Sequence, residues 1–469
     1  MTVRSLLLIL PVLALTGCVQ QANRDDKVLV QQAELGFDSC GFLEVPEDYS
    51  VLEGRRIKIA YCILKAKGSN NSKVPLIICT GGPGSAAISG VVRWADHPFR
   101  DTHDIILFDQ RGVGLSGALP SMGSALFDIL AADLNLSEEF TAIHDTLMLY
   151  KSQIEATGVD IGSYNTRNNA TDVNAIMNHL NYPQYILYGE SYGTKLVRTV
   201  LDVYPEKIKS VILDSPAIPE NDFLLMRLQN LSNALEAIFQ FCSKDSACNA
   251  LTPDLREDFL AGAKSLETKP IHIQVDGKPF VINPQDALYL LRYQLYTRAA
   301  RSTVPEFISN IKTGNILKLS ESLEAAFGIF ELINFSMFLA VETYDEVDVQ
   351  LTVTDINNYH ADELRLPASL ALFTSLRLSA SDWGARSAES TEMMFSVSTV
   401  PALIFVNAYD PATPPAYARA YQKTLPNSIL YVLDQWGHGV GSTCAERVMA
   451  SFARDSISSV DVSCLPIVK

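Results

Sequence analysis

The sequence predicts an α/β protein: a mostly parallel sheet, interrupted by an inserted, mainly helical cap domain and then resumed. Three observations predict it. VPLIIC, DIILFD, QYILYG and KSVILD are short continuous apolar runs bounded by turn residues, the pattern of parallel strands covered on both faces. Helix-compatible stretches such as Asn168 to Leu180 and Thr194 to Val203 lie between them, and strand–helix alternation builds a parallel sheet. After Pro219 the chain turns mainly helical, with one hairpin-like stretch, and sheet strands return after Val400-Pro401 as ALIFVNAYD and SILYVLDQWG.

Met1 to Ser5 carries Arg4, an apolar run follows from Leu6 to Leu15, and then comes Leu15-Thr16-Gly17-Cys18. About ten apolar residues are too few to cross a bilayer as a helix but suit the core of a signal peptide. The small residues before Cys18 resemble the lipobox of bacterial lipoproteins. That resemblance implies a signal peptide over residues 1–17, lipidation of Cys18, and a polar tether over 18–36. An ordinary cleaved signal with an incidental cysteine is the alternative. No later stretch approaches eighteen unbroken apolar residues, so membrane contact is expected only through an N-terminal lipid, on an exported protein of the cell envelope.

Residues 37–218 form the first part of the expected core. Export makes disulfides natural. Cys40 and Cys62 flank the expected hairpin VPEDYSVLEGRR almost symmetrically and can face each other across it. Cys242 and Cys248 form a tight local pair, and Cys444 with Cys464 closes a loop of about 20 residues, worth roughly 3 kcal/mol by chain entropy. Cys79, inside PLIIC, is left as a buried thiol. No C-x-x-C or H-x-x-x-H spacing occurs, so no metal site is expected.

The cap spans residues 219–395. Glu220 to Ser243, Pro253 to Leu266 and Asp286 to Arg301 read as amphipathic helices, and IHIQVDGKPFVI as a hairpin turning at Asp276-Gly277. Glu321 to about Trp383 continues mostly helical with many exposed-looking aromatics. Residues 396–469 complete the core. With 469 residues and 48% hydrophobic composition the chain can bury a large interior. Its formal charge of −16 opposes nucleic-acid phosphates and anionic lipid, so neither is an expected partner.

Candidate chemistry centres on Gly-Glu-Ser-Tyr-Gly at 189–193, between a buried strand and a helix. There Ser191 occupies the sharp turn of a nucleophile elbow. The flanking glycines avoid clashes with strand and helix, and the helix N-terminus favours a developing oxyanion. A serine needs a base. Of seven histidines only His438, in Gln435-Trp436-Gly437-His438-Gly439, lies between glycines just past a late strand. His97 and His103, near an early loop, are rivals. Asp410 ends ALIFVNAYD, where an α/β sheet displays site residues. The loop Thr80-Gly81-Gly82-Pro83-Gly84 supplies one oxyanion N–H from Gly82, and Tyr192 the other. No Gly-Lys-Ser/Thr follows these glycines, which argues against a P-loop. Such a site calls for no cofactor. Glu190 reads as a structural acid beside the nucleophile.

TGGPG, Asp109-QRGVGLS-Ser116, GESYG, AYDPATPP and GHG together resemble the prolyl aminopeptidase and tripeptidyl aminopeptidase group of α/β-hydrolases, in which Ser, Asp and His follow in this order. The likeness covers nearly everything from Phe37 to Cys464. It implies an α/β-hydrolase fold and a serine exopeptidase releasing N-terminal residues from peptides through an acyl-enzyme. It also implies acids in the cap that hold the substrate ammonium, for which Glu342, Asp345 and Glu346 are candidates. Asp109 and Arg111 are read as structural locks of loops around the site. Thr80 stands where relatives carry His or Asn, and the V-x-C-x-E segment of exported relatives is here Val341-Glu342-Thr343-Tyr344-Asp345-Glu346, without its cysteine. A broad-specificity carboxylesterase with the same triad and a catalytically silent binding protein are the competing readings.

Overall fold

The structure, a computed structural model, describes residues 36–468 except 52, 70, 71, 73, 219–222, 276, 346–370, 385, 390–393 and 456–460. Eight strands form one sheet. They are β1 (Ser39–Pro46), β2 (Arg56–Leu64), β3 (Leu76–Cys79), β4 (Ile105–Phe108), β5 (Tyr185–Glu190), β6 (Ile208–Asp214), β9 (Ala402–Tyr409) and β10 (Ser428–Trp436), while β7 (Ile271–Val275) and β8 (Lys278–Ile282) make a separate hairpin. The spatial order is β1-β2-β4-β3-β5-β6-β9-β10. The pairs from β4 through β10 are parallel, and β1–β2 and β2–β4 antiparallel. This is an α/β-hydrolase fold.

The central strands are apolar throughout because both sheet faces are covered. Side chains of β3, β4, β5 and β6 divide between two clusters, one on each face: Ile78, Leu107, Ile186 and Ile212 on one side, Ile77, Ile106, Leu187 and Val211 on the other. Helices α1 (Thr166–His179) and α2 (Tyr192–Val203) contribute Val173, Ile176, Leu196 and Val200 to the second cluster. Between β6 and β9 the chain leaves the sheet for helices. Those used below are α3 (Phe223–Lys244), α4 (Pro284–Tyr296), α5 (Phe335–Asp345) and α6 (Ala371–Leu378).

Two expectations for this segment need correction. Asp286 to Arg301 is not one helix: α4 ends at Tyr296 and a new helix runs over Ala300–Thr313. The break has a tertiary cause. The Tyr296 carbonyl accepts the backbone N–H of His438 at 3.0 Å, and Gly437 packs against the backbone of Tyr296, Thr297 and Arg298. The described aromatics are also not exposed. Phe330, Phe335, Phe338, Phe373 and Trp383 are all buried in one cluster, and the first four meet ring to ring in turn.

Disulfides join Cys40 to Cys62, Cys242 to Cys248 and Cys444 to Cys464. Cys40 and Cys62 are direct register partners across β1 and β2. Cys79 is a free, fully buried thiol whose burial pushes its pKa well up, which suits packing rather than reactivity. Among the described residues no helix is long and apolar enough to cross a membrane. Cys18 and Glu346 lie outside the described residues.

Candidate active site

β5 runs through the middle of the sheet, and the residue after it, Ser191, turns sharply at φ 56°, ψ −127° before α2 begins. A non-glycine residue in such a region stores about 1–3 kcal/mol of strain. The turn is held by the Ser191 N–H donating to the Asp214 carbonyl at 2.9 Å. Close packing explains both glycines of the motif. A Cβ on Gly193 would sit 1.9 Å from the Cys79 carbonyl oxygen, and one on Gly189 would sit 2.6 Å from the Gly193 oxygen.

The loop after β3 lies against this turn. A Cβ on Gly81 would approach the Ser191 Cβ to 3.0 Å, and Gly82 takes φ +113°. Neither the Gly82 nor the Tyr192 N–H donates a hydrogen bond to any described residue. Two residues with unused backbone donors therefore line the same cavity as Ser191. Thr80 does not disturb them, since its hydroxyl donates to the Ser85 carbonyl at 3.1 Å.

His438 follows β10 on a turn whose flanking glycines have φ +90° and +82°. Its Nδ1 faces both carboxylate oxygens of Asp410, at 3.0 and 2.9 Å. Asp410 is itself fastened by the backbone N–H groups of Ala412 and Thr413, each at 2.8 Å, and by the Thr413 hydroxyl. Burial works to lower the His438 pKa. It is outweighed by the charge and hydrogen bond of Asp410, with Glu190 and Asp214 adding, so the net shift is upward from the usual 6.5. No hydrogen bond joins Ser191 to the ring in this structure, a spacing common in hydrolytic sites without substrate. The rivals are accounted for elsewhere. The His97 ring accepts from the Phe99 N–H, and burial, then Arg93, hold it down to about 4; His103 bonds the Val74 carbonyl.

Ser191, Tyr192, Gly82, His438 and Glu342 line one cavity of ≈ 360 Å³ roofed by α3, α4, α5 and α6. Two of the three candidate cap acids are described, and they do not converge there. Glu342 lines the cavity with one oxygen 3.2 Å from Arg227, and its other oxygen has no hydrogen-bond partner. Asp345 borders a different cleft, 3.8 Å from Lys195.

Several supporting residues escaped the sequence reading. Asn407 donates to the carbonyls of Gly437 and Gly439, both at 3.0 Å, and so pins the histidine turn to β9. A single Asn inside the apolar run ALIFVNAYD was the available signal. Beneath the site, Asp214 accepts the Val440 N–H and the Tyr188 hydroxyl, while Arg93 pairs with Glu190. Burial, then the charge of Glu190, push Asp214 up to about 7. Farther out, Arg111 and Asp172 form a fully buried ion pair, and Arg111 also donates to the Ser163 carbonyl at 2.9 Å. Asp109 accepts from the Ile88 and Leu115 N–H groups. Both residues hold loops together.

Residues 74–441 match the family model for the alpha/beta hydrolase fold. The chain belongs to the α/β-hydrolase family. Among curated proteins, this hydrolase is 27% identical over 221 residues to serine protease Hip1 of Mycobacterium tuberculosis, covering 45% of this chain and 42% of that protein. It is 26% identical over 195 residues to tripeptidyl aminopeptidase of Streptomyces lividans, covering 39% and 36%. A putative hydrolase of Escherichia coli, YuaR, is 25% identical over 226 residues, covering 45% and 43%. The hydrolase thus spans less than half the length of these relatives. Among the described residues no cluster of His, Cys, Asp and Glu could hold a metal ion.

Proposed function

We propose that this protein is a serine exopeptidase that releases N-terminal residues from peptides through an acyl-enzyme. One observation carries the reading: His438 Nδ1 is gripped by Asp410 at 2.9 Å on the rim of the cavity that Ser191 enters from its strained turn. With Nδ1–H donated to the carboxylate, Nε2 is left as the basic nitrogen, and that tautomer can take the Ser191 proton. The oxygen of Ser191 then attacks the peptide carbonyl. The resulting oxyanion takes the two free N–H groups of Gly82 and Tyr192, aided by the positive end of α2. The imidazolium, stabilised by Asp410, returns its proton to the departing amine, and water releases the acyl group by the same steps.

The names of the relatives support peptides as substrates, and the roofed cavity supports trimming of chain ends over cleavage within folded chains. Glu342, through its unpartnered oxygen, is the acid we assign to the substrate ammonium. Three disulfides support an oxidising compartment, and a lipid on Cys18 would hold the protein at the envelope.

The deciding experiment is a peptide-library digest scored for the trimmed terminus, with Ser191→Ala as control. Removal of N-terminal residues only from peptides with a free amine is the expected result. Equal turnover of N-blocked peptides would overturn the exopeptidase reading, and far faster hydrolysis of short acyl esters would favour a carboxylesterase. Failure of a fluorophosphonate to label Ser191 would leave a silent binding protein.

A further inference from the structure

Among the described residues, charge along the cavity wall does not balance. Arg93, Lys195, Arg227 and Arg292 all line it, facing Glu190 and Glu342. Arg93 pairs with Glu190, Arg227 with Glu342 at 3.2 Å, and Lys195 with Asp345 at 3.8 Å. Arg292 has no carboxylate within ion-pair distance among the described residues. It is 5% exposed, and its hydrogen bond is to the neutral Tyr296 hydroxyl.

The guanidinium is nonetheless held firmly. It lies over the Tyr296 ring at 4.6 Å and over the Phe373 ring at 5.0 Å, while Arg227 lies over the same Phe373 ring at 5.4 Å. Stacking on two aromatic faces orients the planar fork without consuming its remaining N–H donors. A buried cation without an anion is costly to maintain, and this one borders an open cavity that an anion can enter. A planar fork of donors matches a carboxylate bidentately.

We infer that Arg292 anchors a carboxylate of the substrate, which makes the substrate class short peptides bearing either a free C-terminal carboxylate or an acidic side chain at a fixed position. Its position relative to the chemistry follows from α4. Arg292 lies one turn, about 6 Å, before Tyr296, whose ring meets that of His438 with centroids 5.2 Å apart. The carboxylate therefore sits a few extended residues, at about 3.5 Å each, from the attacked carbonyl. This location rests on the catalytic reading of Ser191; the binding itself does not.

The test separates the two. In a Ser191→Ala background, calorimetry measures binding of tetraalanine, tetraalanine amide, and tetraalanine amides carrying Glu at the second, third or fourth position. The free acid or one Glu peptide is expected to bind at least tenfold tighter than the neutral amide, and which one identifies the source of the carboxylate. Arg292→Gln should bring that ligand to the neutral amide's affinity and leave the neutral amide unchanged. Arg292→Lys, which keeps the charge and stands in should Arg292→Gln not fold, should retain part of the preference. Equal binding of acidic and neutral peptides, a uniform loss in the variants, or no binding at millimolar peptide overturns the inference. Fluorophosphonate labelling of Ser191, read separately, bears on catalysis alone.

Discussion

The backbone N–H of His438 donates to the carbonyl of Tyr296 at 3.0 Å, so the final turn of a roof helix is fastened to the loop that carries the imidazole. The roof and the proposed base are one mechanical unit. A Cβ at Gly437 would sit 2.7 Å from that same Tyr296 oxygen. The approach exists only because no side chain intervenes.

Asp410→Asn should lower kcat by roughly 10³–10⁴ with little change in KM, because the amide can present its N–H to Nδ1 and favour the wrong tautomer. Steady-state kinetics on a peptide chromogen would measure it. A loss under tenfold would mean that Asp410 does not orient the ring.

Activity should fall on the acid side with a midpoint above 6.5. The folded pKa of His438 is raised, so the protonated ring is favoured by the fold. The stability it contributes is present below the unfolded value and is lost as pH rises through the folded one. Catalysis runs the other way, since only the neutral ring accepts the Ser191 proton. The pH dependence of fluorophosphonate labelling reports this directly, and an acid limb centred below pH 6 would contradict it.

Asn407→Ala removes two hydrogen bonds of 3.0 Å and strands two carbonyls of the histidine turn. At about 1 kcal/mol per bond plus the cost of unpaired carbonyls, a loss of about 2–4 kcal/mol is expected, together with a fall in kcat. Denaturant titration and kinetics on the same sample would show both. Unchanged kcat would mean that the turn is held without Asn407.

Two glycine substitutions should behave oppositely. Gly193→Ala drives a Cβ to within 1.9 Å of the Cys79 carbonyl oxygen, a backbone atom that cannot swing aside, and should prevent folding or abolish labelling. Gly90→Ala meets nothing within 4 Å and has φ −85°, so its stability should stay within about 0.5 kcal/mol of the parent. Circular dichroism melts distinguish the two. Similar melts would contradict the close packing of strand, elbow and loop.

The central strands were readable because they are covered on both faces, which leaves a short apolar run such as LIIC or YILY between turn residues. The elbow was readable for a related reason: its glycines are demanded by packing within a few ångströms of Ser191. Asp410 and His438 could be nominated from strand ends and chain order. Asn407 was harder, since its role is to bond a turn thirty residues away. The cap was least legible. Its aromatics pack on one another rather than on the sheet, so they leave no stripe on a helix, and the halt of α4 at Tyr296 follows from a contact with His438.

Local pattern therefore sufficed for the layered sheet, the elbow and the facing of Cys40 and Cys62, because period, turn chemistry and steric demand act over a few neighbouring residues. The balance of charge inside the cavity belongs to the tertiary structure. Glu342 and Asp345 are three residues apart in sequence, yet one lines the cavity beside Arg227 and the other borders a separate cleft beside Lys195. Arg292 alone stands there without a carboxylate among the described residues. Electrostatic pairing is decided by which side chains meet in space, and helices far apart in the chain bring those side chains together.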